Sequence, residues 1–144
     1  LTQAEAAEVV ELARASIKYP DSGKLVGDWK VGDKLALDGA GDRIQFGRLE
    51  QRKENGGLCQ NCHALAPGEM NVGNVGPSLT SYGTQRGNTE AVTKLTYDKI
   101  YYAWVFAPCS TMPRLGANRH LTPEQIAHLV AYLVDPQSPV NRKQ

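Results

Sequence analysis

Cys59-Gln60-Asn61-Cys62-His63 is the stretch that organises this chain. A Cys-x-x-Cys-His run is the attachment signature of c-type haem. Two thiols at this spacing reach the two vinyl groups on one edge of a porphyrin and form thioethers. The histidine that follows can turn its imidazole beneath the ring and bind the iron. Other chemistries use only part of the set. A thioredoxin-like redox pair needs Cys-x-x-Cys alone, usually at a helix start after a strand, and Asn55-Gly56-Gly57-Leu58 ahead of Cys59 does not read as a strand. A structural zinc site wants a second Cys/His pair at ligand spacing, and the remaining Cys109, His120 and His128 are unpaired in sequence. The reading is one covalent haem c on Cys59 and Cys62, with His63 as an axial ligand.

Working outward, the other ring nitrogen of His63 needs an acceptor to fix the ring. Gly76-Pro77-Ser78-Leu79 is suited to supply a backbone carbonyl, since proline stiffens the local chain and glycine permits close approach. The sixth ligand must come from the opposite face. Met112, in a loop before Pro113, has some fifty residues of chain after His63 in which to pass round the ring. A thioether there raises the reduction potential relative to two histidines. Met70 follows His63 by seven residues and reads as loop packing. His120, ahead of a helix cap, reads as solvent-facing, and His128 lies beside an apolar stripe; these are the rivals for a bis-histidine site. Ser110-Thr111 beside Cys109 has no histidine placed near it by sequence, so no nucleophilic constellation emerges.

Bulk properties narrow the class. The 144 residues suit one domain. The aromatic content of 7% leaves a haem as a large part of the apolar interior. A net charge of +1, from 16 basic and 15 acidic residues, argues against nucleic acid and against a polybasic membrane anchor. No apolar run reaches the length of a membrane span. Haem c is attached outside the energy-transducing membrane, so a periplasmic home after removal of a signal peptide is expected. Cys109 is then odd in an oxidising compartment, which suggests an inter-subunit disulfide, a free thiol or a small core residue.

Periodicity predicts a mostly α chain. Ala6, Val9, Val10, Ala13 and Ile17 mark a helix over residues 2–18, stopped by Tyr19-Pro20-Asp21-Ser22-Gly23. Residues 20–41 read as an extended connector with a possible strand pair. A second helix is expected from Gly41-Asp42 to about Asn55 on Ile44, Phe46 and Leu49, ended by Gly56-Gly57. Residues 64–96 read as loops, and Tyr97 to Val105 as an aromatic-rich helix. Thr122, Pro123 and Gln125 start the last helix with a capping box; Ile126, Leu129, Val130 and Leu133 form its stripe and Asp135-Pro136 ends it. The helix at about 42–55 is expected to pack across the last helix near Leu129 and Tyr132. The domain reading is a helical and extended N-terminal extension (1–40), a haem domain (41–136) and a polar, extended tail (137–144).

Residues 41–136 resemble the class I cytochrome c family: helix, Cys-x-x-Cys-His, Gly76-Pro77-x-Leu79, Met112-Pro113, and a final helix with Leu129-x-x-Tyr132. More particularly, Gly73-Asn74-Val75-Gly76-Pro77-Ser78-Leu79, Met112-Pro113-Arg114-Leu115-Gly116, Leu121-Thr122-Pro123-Glu124-Gln125-Ile126 and Asp135-Pro136-Gln137-Ser138-Pro139-Val140-Asn141 are similar to the SoxX family. These are the small monohaem subunits of the SoxAX cytochrome of thiosulfate oxidation, an L-cysteine S-thiosulfotransferase. The resemblance implies a class I cytochrome c fold and a heterodimer with a SoxA-like haem subunit. It also implies an active-site cysteine on that partner, transient contact with the SoxYZ carrier, and an electron-relay role toward a downstream acceptor. The segment from Gly47 to Cys59 is longer than in compact class I cytochromes, and Cys109 is no part of the general pattern. Two other functions suit the same motifs: a free-standing periplasmic electron shuttle, usually with a strongly charged docking face, and a haem enzyme with an open sixth position.

Overall fold

A computed structural model describes residues 1–38, 43–45, 48–50, 55–70 and 72–142. The chain is mostly α-helical. Among the described residues, the α-helices are α1 (Gln3–Ala15), α2 (Trp29–Leu37), α3 (Tyr82–Arg86), α4 (Glu90–Tyr101) and α5 (Pro123–Val134), with a short antiparallel pair β1 (Arg43–Gln45) and β2 (Arg48–Glu50).

The last helix starts where its cap chemistry dictates. The Thr122 hydroxyl accepts from the Gln125 amide, the Gln125 side chain accepts from the Thr122 amide, and Pro123 opens the first turn. Ile126, Leu129, Val130 and Leu133 are all buried, and α5 forms the spine of the core. The first helix is capped in the same way by Thr2 and Glu5. Those hydrogen bonds hold the Glu5 carboxyl below its usual range.

Three expectations are corrected. The helix expected at about 42–55 is absent where the chain is described. Arg43–Gln45 and Arg48–Glu50 pair as strands, with Ile44 opposite Leu49, a spacing of five that places partners across a hairpin better than on one helical face. Residues 39–42, 46–47 and 51–54 lie outside the described residues. The helix that crosses α5 is instead α2, from the stretch read as connector. Asp28 caps it by accepting from the Lys30 amide at 2.8 Å, and Leu35 and Ala36 enter the core. Gly32 makes the crossing close: a Cβ there would run into the His128 carbonyl and Tyr132 Cβ.

The second correction lies in 64–96. α3 and the first half of α4 occupy part of this stretch, and α4 begins at the Thr89 cap rather than at Tyr97. Its buried face includes Thr93 and Thr96 beside Tyr97, Ile100 and Tyr101, so hydroxyls interrupt the apolar period. Both threonines are satisfied: Thr93 donates to the Glu90 carbonyl and Thr96 to the Val92 carbonyl. The aromatic segment then breaks at Tyr102 and continues as a single 3₁₀ turn over Ala103–Val105.

The third concerns the end of the chain. Ser138, Val140 and Asn141 are buried, and Pro139–Asn141 is a 3₁₀ turn. The Asn141 amide donates to the Leu133 and Asp135 carbonyls, while its oxygen accepts from Gly83 and Thr84. It therefore closes the C-terminus of α5 and the start of α3 together.

The N-terminal helix packs against the 103–105 turn, and the residues after it are tied to α4. The Tyr97 hydroxyl donates to the Lys18 carbonyl at 2.8 Å, and that of Tyr19 to Asp98 at 3.1 Å. Leu129, 2% exposed, faces the centre of this arrangement. Leu129→Ala should cost about 2–5 kcal/mol in denaturant unfolding; a change below about 0.5 kcal/mol is what a surface position gives.

Candidate functional site

α2 seats the cysteine motif. Its last carbonyls receive the chain coming in: the Gly57 amide donates to Leu35 at 2.7 Å and the Leu58 amide to Asp38 at 3.0 Å. His120 latches the same approach. Its Nε2 donates to the Gly56 carbonyl at 2.9 Å, and the Asn55 side chain donates to the His120 carbonyl at 2.9 Å. His120 is thus a half-buried structural residue, not the solvent-facing one expected.

Cys59–Asn61 form a 3₁₀ turn in which the amides of Cys62 and His63 both donate to the Cys59 carbonyl. The turn gathers two thiols and an imidazole. Neither cysteine is in a disulfide. Burial pushes the Cys59 thiol up to about 11, the opposite of the lowered value that activates a redox dithiol.

The 73–79 loop is laid over this turn. The Gly73 amide donates to Gln60, Gly76 to Cys62 and Leu79 to Ala64, each at 2.8 Å. The His63 Nδ1 donates to the Pro77 carbonyl at 2.7 Å, which fixes the ring and leaves Nε2 for another partner. Gly76 lies so close that a Cβ would run into the imidazole itself.

Cys59, His63 and Met112 line one apolar cleft. Its walls come from Ala36 of α2, Ile100 of α4, Leu129, Tyr132 and Leu133 of α5, and Leu65, Leu79 and Leu115 from loops. This donor set, an imidazole with its outer nitrogen engaged, a thioether, and two thiols on one turn, could hold an iron porphyrin. Met70 is 88% exposed, so it neither packs in its loop nor lines the cleft. His128 is taken up elsewhere, its Nδ1 accepting from the Asp28 amide at 2.8 Å. Among the described residues, no group of three or more His, Cys, Asp or Glu side chains converges as a bare metal site. Cys109 is exposed, with φ +63°.

The chain is similar to a protein of Aquifex aeolicus (strain VF5) named an uncharacterized lipoprotein, with 43% identity over 138 residues. The match covers 96% of this chain and 64% of the relative's length. No protein-family model matches. Among the described residues, no helix is long and apolar enough to cross a membrane.

Ala36, Leu65 and Ile100 line the cleft and were not singled out from the sequence. Ala36 sits on a helix read as connector. Tyr132 was recognised as part of the Leu129-x-x-Tyr132 pair; burial first, and the Asp33 carboxylate next, raise its phenol well above the usual range. Periodicity finds a buried ring; it carries no information about what its oxygen meets.

Proposed function

We propose that this chain is a monohaem c-type cytochrome of the class I fold and that it transfers electrons. The observation that carries the reading is the convergence of Cys59, His63 and Met112 on one apolar cleft, with His63 Nδ1 engaged by the Pro77 carbonyl. Cys59 and Cys62 would hold the haem covalently, and His63 Nε2 and the Met112 thioether would bind its iron. When bound, haem c supplies reversible one-electron transfer at a potential raised by the His/Met pair. The chain's own residues orient and exclude: Pro77 fixes the imidazole rotation, and Leu65, Leu79, Ile100, Leu129 and Leu133 keep water from the site. With both His63 and Met112 bound to the iron, no position would remain for a substrate, which would favour electron transfer over a haem enzyme.

The resemblance to SoxX supports a more specific role, an electron relay in a heterodimer with a SoxA-like haem subunit that couples thiosulfate to SoxYZ. The active-site cysteine belongs to the partner in this scheme. The Aquifex relative is named a lipoprotein, which supports an exported, envelope-associated setting, with the periplasm as the proposed compartment.

A redox titration of the loaded protein, followed in its visible spectrum, should give a single reversible one-electron couple; a spectrum indifferent to oxidant and reductant defeats the reading. Gel filtration with a SoxA-like subunit should give one species at the summed mass. Elution of the chain alone at high concentration would favour the free-standing shuttle.

A further inference from the structure

We propose that Trp104 and Ser110 are positioning residues that hold the Met112 thioether at the iron. The inference rests on Met112 as an axial ligand. The 3₁₀ turn over Ala103–Val105 presents the Trp104 indole, whose Nε1 donates to the Ser110 carbonyl at 3.0 Å. The Ser110 hydroxyl in turn accepts from the Met112 amide at 3.3 Å. The two bonds form a continuous brace from a fixed turn of the core to the backbone of the ligand residue.

The brace is itself clamped. The Trp104 ring lies 5.7 Å from that of Tyr102, and the Arg114 guanidinium stands 5.0 Å from the Trp104 centroid and 5.7 Å from that of Tyr102. Arg114 also donates to the Tyr102 hydroxyl at 3.4 Å. Both ends of the 106–114 loop therefore meet at one aromatic pair. Between them, the Ser110 amide donates to the Ala107 carbonyl at 3.1 Å, and Cys109 takes φ +63°. A non-glycine residue keeps that conformation only where its surroundings over-determine it.

The chemistry gives the brace a purpose. Methionine has three rotatable bonds and a weak, polarizable donor atom, so its occupancy at a metal depends on how little its loop has left to order. A loop pinned at Ser110 has lost much of that freedom before the sulfur binds.

Imidazole, added to the oxidised haem-loaded protein, competes with Met112 for the iron and reads this directly. Trp104→Phe keeps a ring and removes the indole N–H; Ser110→Ala removes the hydroxyl. Each should bind imidazole about fivefold more tightly, the equivalent of one lost hydrogen bond, and should weaken the sulfur-to-iron band. In a Met112→Ala background neither change should alter imidazole affinity. Equal affinity in wild type and both variants overturns the inference, as does an equal fold-change in the Met112→Ala background, which would mark a general structural effect. If Trp104→Phe does not fold, Ser110→Ala carries the same test. If wild type lacks the band and Met112→Ala leaves imidazole affinity unchanged, the axial-ligand reading itself fails, an outcome separable from a brace that does not act.

Discussion

Met112→Ala is expected to remove the weak sulfur-to-iron band from the red end of the oxidised spectrum and to lower the reduction potential, while the haem stays attached. The proposed attachment points, Cys59 and Cys62, lie in the 59–61 turn and its flank, whereas Met112 comes from a loop nearly fifty residues later. Loss of the thioether removes a soft donor that favours the reduced iron, so the potential must fall. Met70→Ala is the contrasting variant. Met70 is 88% exposed, and its replacement should leave band and potential unchanged. A band that survives Met112→Ala and vanishes with Met70→Ala would mean that the cleft has been given the wrong ligand.

Gly32→Ala is expected to be strongly destabilising. The added Cβ would meet the His128 carbonyl and Tyr132 Cβ. These are parts of α5 that cannot swing away as a long side chain can, so α2 and α5 must separate. Overpacking costs about 1–3 kcal/mol, occasionally more, and this contact lies at the upper end because backbone is involved. The consequence reaches the site. Gly57 and Leu58 hang on the Leu35 and Asp38 carbonyls, so a displaced α2 moves the chain that delivers Cys59. Urea unfolding should show the loss of stability, and the yield of covalently loaded protein should drop with it. A wild-type midpoint would show that the helices have slack at this crossing.

The particular elements indicate what was legible. α5 announced itself because its cap is written in side chains, Thr122, Pro123 and Gln125. The cysteine motif and its Gly-Pro loop were legible because covalent and coordination chemistry fix residue types at fixed spacing. α2 was hidden by its own function: Gly32, the residue that permits the close crossing, is also the residue that a propensity reading counts against a helix. α4 was shortened because Thr93 and Thr96 stand where a hydrophobic stripe is looked for; their hydroxyls donate to carbonyls one turn back, and that of Thr96 also meets the Tyr82 hydroxyl. The 43–50 segment was misread because Ile44 and Leu49 were placed on one helical face, whereas they meet across a hairpin. The tail looked polar, yet Asn141 is buried, with four hydrogen bonds to α3 and the end of α5. Tertiary partners of this kind leave no local trace.

The proposed function stands or falls on a haem held through Cys59 and Cys62. Its most direct test is the intact mass of the protein, produced with a haem c attachment system and measured before and after acid-acetone extraction. The polypeptide plus one haem is expected in both measurements. The bare polypeptide mass after extraction, with the porphyrin in the acetone, would contradict it.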